Sequence, residues 1–338
     1  MDKILLIGPR ENKKDPSKTG GVIVLFEDLI RQFDKKDINY IVIDTNKANY
    51  SNIFIAMVSI YFNIFIKSFR VSHISLHGTA NDYVFIAPFM IIIAKLFNKK
   101  TSTRKFAGNF DSYYKNAKSY KKRFIEYVLK NSTYNFFETK YLVDFFKKFN
   151  DNTFWFPNVR EKQIIDNKKE FKKKFVFISQ LYKSKGVDEI LEASNMLSDE
   201  YQVDLYGPLR DDYTEKYFTK YKANYKGALK SNEVFNTLKD YDVLILASYY
   251  PGEGYPGVVI EALSVGKPVI VTDLESIKEM VDETCSIFVK PRNSNDIKDS
   301  ILMFNDDNYQ SYSKNALLTF NNFDSDIQTT KFLEIISD

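Results

Sequence analysis

Asp242-Val243-Leu244-Ile245-Leu246-Ala247-Ser248 is followed closely by Pro251-Gly252-Glu253-Gly254-Tyr255-Pro256-Gly257-Val258-Val259-Ile260-Glu261-Ala262-Leu263-Ser264-Val265-Gly266, and then by Lys267-Pro268-Val269-Ile270-Val271. The first stretch is a short apolar run bounded by polar residues, as a buried strand is. The second opens with glycines and prolines, which make a loop, and Pro256 suits the start of a helix over 257–265. The third is another short apolar run after a glycine. Strand, loop, helix and strand in this order are the repeating unit of a parallel sheet with helices on its faces.

The alternation extends outward on both sides. Runs at 286–289, 202–206 and 175–178 read as further strands, with helical patterns between them. Nearer the N-terminus, 3–7, 40–43, 74–76 and 134–137 read the same way, and Val24, Phe26, Leu29 and Ile30 form a helical stripe. Phe156-Pro157-Asn158 closes a short strand and leads into a charged stretch that reads as a linker followed by a solvated helix. The expected organisation is therefore α/β, with two Rossmann-like doubly wound domains. They cover 1–157 and 175–325, joined by a linker at 158–174, and a last helix in 326–338 packs back on the first domain. At 338 residues the chain is long enough for two cores.

Bulk composition narrows the class. Aromatic residues make up 16% of the chain, which supplies ample apolar area. A net charge of +4 does not suggest a nucleic-acid binder. The single Cys285 forms no intrachain disulfide, and two histidines, His73 and His77, offer no metal-ligand spacing. The N-terminal MDKILLIGPR lacks the pattern of a secretory signal, and the apolar runs 53–66 and 83–94 fall short of the roughly twenty residues a span needs. Both read as helices that are buried or lie against a membrane surface. A cytoplasmic protein without a membrane crossing is expected, possible peripheral contact being made by the basic, aromatic stretch 118–130 on an anionic surface. Lys118, Lys121, Lys122 and Arg123 stand there beside Tyr120, Phe124 and Tyr127.

The chemistry points to the 251–266 string. A helix N-terminus facing a Gly/Pro loop offers amide groups and a positive dipole end to phosphate or sugar oxygens. Glu261 stands among Val258, Val259, Ile260 and Leu263, where a carboxylate needs partners. Two ribose hydroxyls would satisfy it. His77, at the carboxyl end of the 74–76 strand, is placed where α/β sheets bind ligands, and Asp82 and Asp111 have similar standing. Asp211-Asp212 reads as a solvated loop and not as a metal pair.

The string from Glu253 to Glu261 resembles the E-x7-E signature of retaining glycosyltransferases of the family-4 type. Pro157-Asn158, Lys185-Gly186, Gly207-Pro208 and Gly20-Gly21 resemble other family landmarks. The resemblance implies a GT-B fold, its two domains facing each other across a cleft. It implies a hexosyltransferase using a nucleotide-diphosphate sugar, a UDP-sugar being favoured, with retention and with neither cofactor nor metal. It also implies a sugar acceptor such as a lipid-linked glycan of a surface polysaccharide. Lys185 and Glu253 would be catalytic. Gly21, Gln180, Gly207, Gly254, Tyr255, Pro256, Gly257, Val258 and Glu261 would bind the donor, and His77, Phe106, Asn109 and Asp111 would lie on the acceptor side. Two departures stand out. Gln180 replaces the arginine of the family's Gly-Arg-Leu and cannot clamp a diphosphate. Phe106 stands where a histidine is common, which leaves Arg104, Lys105, Asn109 or Asp111 for the acceptor. The alternatives are a nucleotide-sugar epimerase or phosphorylase on the same fold, or a non-catalytic binding protein.

Overall fold

A computed structural model describes residues 3–15, 20–163, 170–211, 213–250 and 252–337. Pro251, Asp212 and the 164–169 part of the linker lie outside the described residues. The chain divides into two compact units, Met1–Val159 with Ser325–Asp338 and Arg160–Asp324.

Unit 1 holds a six-stranded parallel sheet in the order β2-β1-β3-β4-β5-β6. Its strands are β1 (Ile4–Gly8), β2 (Tyr40–Asp44), β3 (His73–Gly78), β4 (Lys100–Lys105), β5 (Tyr134–Phe137) and β6 (Thr153–Trp155). The helices Ile53–Ser68, Ala87–Leu96 and Ser119–Asn131 cover one face, and Gly21–Lys35 with Ser325–Ser337 cover the other. The last helix is tied to the first by Gln32 Nε2 donating to Ser325 Oγ at 2.9 Å and by Phe332, Leu333 and Ile336 in the shared core.

Strand β4 is where apolar patterning fails. Lys-Thr-Ser-Thr-Arg-Lys carries no apolar residue, yet Thr101 through Lys105 are buried in the middle of the sheet. Cross-strand hydrogen bonds replace hydrophobic contact. His73 Nε2 pairs with Ser102 Oγ at 2.9 Å, Ser102 with Ser75 Oγ at 2.7 Å, and Ser75 with His77 Nε2 at 2.8 Å. Burial disfavours the charged imidazolium, pushing His73 down to about 3 and His77 well below its ordinary range. Both histidines are therefore neutral links in a polar core chain.

Unit 2 repeats the plan with β7 (Lys174–Ile178), β8 (Gln202–Tyr206), β9 (Asn224–Tyr225), β10 (Val243–Leu246), β11 (Val269–Thr272) and β12 (Ser286–Val289), in the order β12-β11-β10-β7-β8-β9. All neighbours run parallel. Strand order reverses between β7 and β10, so the carboxyl ends of these two strands open a crevice at the switch point. The solvated helix expected before β7 does not form over the described residues 170–173. Instead Asp242 Oδ2 accepts from the amides of Lys172 and Lys174 at 2.8 and 2.9 Å, and Phe171 packs on Phe175 and Tyr309. Fixing the backbone to β10 leaves no room for a solvated turn.

Candidate functional site

The crevice of unit 2 is built from the loops after β7 and β10. After β7 the chain makes a short turn at Lys183–Lys185 and enters the helix Val187–Asn195 through Gly186. After β10 it passes Ser248 and Glu253 before the helix Gly257–Ser264. Tyr249 N donates to Ser184 O at 2.8 Å and stitches the two loops together.

Lys185 Nζ meets Glu253 Oε2, and Ser248 Oγ bonds the same oxygen. The lysine and glutamate side chains are only 11% and 9% exposed. Tyr182 and Tyr250 stand edge to face, with the lysine ammonium 5.9 and 5.7 Å from their ring centres. Glu253 is held further by its amide on Tyr250 O at 3.0 Å and by Ser276 Oγ, which donates to its carbonyl at 2.9 Å. A cation and a carboxylate are thus brought together at the sheet's switch point and held by backbone. Ser248, two residues past β10, reads in the sequence only as the end of the strand run and not as a site residue.

Glu261 lies on the second turn of the Gly257–Ser264 helix and is half-buried. It is not the isolated carboxylate its apolar neighbours imply. Arg160 Nε donates to Glu261 Oε1 at 2.7 Å, both side chains being 14% exposed. Arg160 is placed by its own backbone, whose amide donates to Phe323 O at 3.0 Å. The same arginine explains Gly257, because a Cβ there would lie 2.3 Å from Arg160 Nη2. Nothing in the sequence singled out Arg160 from a charged stretch.

The other donor-side expectations separate by side-chain direction. Pro256 caps the Gly257–Ser264 helix from extended backbone, and Gly254 and Val258 flank that start half-buried. Tyr255 offers this loop only its backbone. It is buried, its hydroxyl donates to Glu279 Oε2 at 2.7 Å and its ring packs on Phe323, so it braces the loop from beneath. Gln180 is exposed, with Arg210 Nε donating to its Oε1 at 3.4 Å. Gly207 is in the left-handed half of backbone space at φ +144°, and a Cβ would fall 1.7 Å from Ser179 O. Its lack of a side chain serves the join between the ends of β7 and β8.

In unit 1 the acceptor-side set divides likewise. His77 and Phe106 are corrections, because both are core. His77 is fully buried against Phe26, Phe106 and Phe332, and Phe106 packs in the same cluster. Arg104 is buried too, stacked 3.6 Å over Phe156 with Nη2 donating to Pro157 O at 2.6 Å. Lys105 is buried and bonds Phe106 O. Asp82 caps a helix by accepting from Thr79 N at 2.7 Å, and Asp111 accepts from Lys115 and Tyr141. Asn109 is exposed and lines a cavity of about 540 Å³ with Ser112, Tyr113, Asn116, Lys118 and Lys121. Gly20 and Gly21 open the helix Gly21–Lys35, and a Cβ on either would meet open space.

Residues 158–317 match the model for glycosyl transferases group 1. The matched segment contains Lys185, Glu253, Arg160 and Glu261 together. A Campylobacter jejuni N,N'-diacetylbacillosaminyl-diphospho-undecaprenol alpha-1,3-N-acetylgalactosaminyltransferase is 28% identical over 158 residues, 45% of this chain and 41% of that protein. The curated relatives are matched over 41%, 32% and 34% of their own lengths, so the chain spans about two fifths of them or less. The Anabaena protein Alr3699/HepE, solved in complex with UDP and with UDP-glucose, matches over 100% of both chains. Its TM-scores are 0.72 and 0.68, at 12% identity. The fold is GT-B, two parallel six-stranded α/β units. Among the described residues, no helix is long and apolar enough to cross a membrane.

Proposed function

We propose that the chain is a retaining glycosyltransferase that moves a hexose from a UDP-sugar to a hydroxyl of a lipid-linked glycan, in the building of a surface polysaccharide. The observation that carries this reading is the Lys185–Glu253–Ser248 group at the switch point of unit 2, in a segment matching glycosyl transferases group 1. UDP-glucose bound to a neighbour of the same fold, and an undecaprenol-diphosphate sugar named for a relative, support the choice of donor and acceptor. On donor binding, Lys185 Nζ would exchange Glu253 for the diphosphate and stabilise the charge that develops as it leaves. Glu253, still held by Ser248, would then accept hydrogen bonds from the hydroxyls of the transferred sugar. Amides of the Gly257–Ser264 helix start add positive potential. The reading needs no metal. It also includes peripheral association with an anionic membrane at the inner face of the cell, where the acceptor lipid resides. The test is release of UDP that requires an acceptor, is unaffected by EDTA, and yields a product whose anomeric configuration matches the donor's. UDP release without any acceptor, or product of inverted configuration, overturns it.

Glu261 is proposed to hold the ribose, with Arg160 fixing its carboxylate. Glu261→Ala is expected to cost about 1.5–3 kcal/mol of donor binding, as loss of a charged hydrogen-bond partner does. By calorimetry that is roughly a 10- to 150-fold rise in Kd. Unchanged affinity in a folded variant removes Glu261 from the donor site.

A further inference from the structure

We infer that the outer face of the helices Ile53–Ser68, Ala87–Leu96 and Ser119–Asn131 is a docking surface for an anionic lipid bilayer, lying flat on it without crossing. This rests on the membrane association included in the proposed function and names the face that makes it. Its evidence is the face itself. On Ile53–Ser68, Ala56, Ile60, Ile64 and Ser68 are buried against the sheet. The opposite stripe carries Phe54, Val58, Phe62, Phe65 and Phe69, with Phe54 and Phe62 at 74% and 64% exposure. Such a helix is apolar all round with only one side packed. Phe85, at the end of the short helix Ala80–Phe85, and Ile92 and Leu96 on the next helix continue the apolar surface, as do Tyr120 and Phe124 on the third. The three helices adjoin. Tyr61 lies 4.9 Å from Phe89, Phe69 lies 4.2 Å from Phe97, and Lys95 Nζ bonds Asn131 and stands 5.7 Å over Tyr127. An exposed apolar patch of this extent marks an interaction site.

Charge identifies the occupant. Between Thr45 and Asn131 the carboxylates are Asp82, engaged in capping Thr79, Asp111, paired with Lys115, and Glu126, which accepts from the Tyr114 hydroxyl. Arg70, Lys95, Lys118 and Arg123 are exposed around the apolar stripes, and Lys121 and Lys122 sit over Tyr113 and Tyr114 at 5.7 and 5.8 Å. A second copy docked face to face through a two-fold axis would bring these cations together with few carboxylates to meet them. A bilayer with anionic headgroups takes both parts. Aromatic and aliphatic side chains enter the headgroup boundary, and the cations stay among the phosphates.

The test is sedimentation with phosphatidylcholine vesicles, with and without phosphatidylglycerol. The protein is expected to sediment with the anionic vesicles and to be released as salt rises. The double variant Phe54→Ser/Phe62→Ser, at exposed positions, is expected to bind about tenfold less with unchanged thermal unfolding. Lys118→Glu/Arg123→Glu is expected to abolish the preference for phosphatidylglycerol. Equal sedimentation of the wild type and the Phe54/Phe62 variant overturns the proposal, and so does equal binding to both vesicle types. A wild-type dimer that the variant makes monomeric, without vesicle binding, reassigns the face to self-association. No donor or acceptor enters the assay, so vesicle binding without sugar transfer overturns the proposed transferase activity and leaves this surface standing.

Discussion

Lys185→Ala should reduce turnover by about 10²–10³-fold, the loss typical of removing one group that stabilises developing negative charge. It should also lower stability, for a reason visible in the unliganded site. The lysine pairs with Glu253, whose side chain is 9% exposed and shares its oxygen with Ser248 alone once the ammonium is gone. Removing one partner of a buried pair leaves an uncompensated charge, about 3 kcal/mol at the low end of that effect. The two consequences separate in a double variant. Lys185→Ala/Glu253→Gln should regain most of the lost melting temperature and none of the lost turnover. Gln180→Ala, at an exposed amide, should stay within about threefold of wild type, in keeping with the small effect of exposed substitutions. Near-normal rates for Lys185→Ala would remove this loop from the chemistry.

Gly207→Ala is expected to unfold unit 2 more readily than any substitution on its surface. Two costs add at this position. A non-glycine residue at φ +144° is strained by roughly 1–3 kcal/mol. The new methyl would also meet the Ser179 carbonyl at 1.7 Å, which the join between β7 and β8 cannot relieve without overpacking costs of about 1–3 kcal/mol. Ser179 N to Tyr206 O and Leu181 N to Pro208 O, at 3.1 and 3.0 Å, hold the carbonyl's own segment in place. A fall of about 3–5 kcal/mol in denaturant unfolding follows, with donor binding lost only in proportion to the unfolded fraction. A variant with native stability and weakened donor affinity would instead make Gly207 a ligand contact.

The fold was legible because ten of the strand positions reduce to short apolar runs or to a chain break beside one, and the parallel α/β class follows from their alternation with helices. Strand β4 was not, because Lys-Thr-Ser-Thr-Arg-Lys is buried through hydrogen bonds, and hydrogen bonds leave no periodicity in a sequence. Strand β9, only Asn224–Tyr225, is too short to show one. In the site, Lys185 and Glu253 could be named because glycines and prolines mark the loops that carry them. His77 and Phe106 were misplaced because a position beside a loop does not say which way its side chain turns, and both turn inward. Arg160 escaped notice for the opposite reason. It contacts Glu261 across 101 positions of chain, and only the fold brings them together.

Synthesis on the ribosome separates the two parts of unit 1 in time. Unit 1 begins at the N-terminus, yet Phe332, Leu333 and Ile336 belong to the core beneath Phe26 and Phe33. Residues 160–324, all of unit 2, must be translated before that last helix exists. At ordinary elongation speeds of about 5–20 residues per second, the wait is roughly 10–30 seconds. Throughout it, the nascent first unit presents Phe136 and Phe156 without their partner Phe332. Those seconds define a window for chaperone engagement, and a chain stalled or truncated before Ser325 would never leave it.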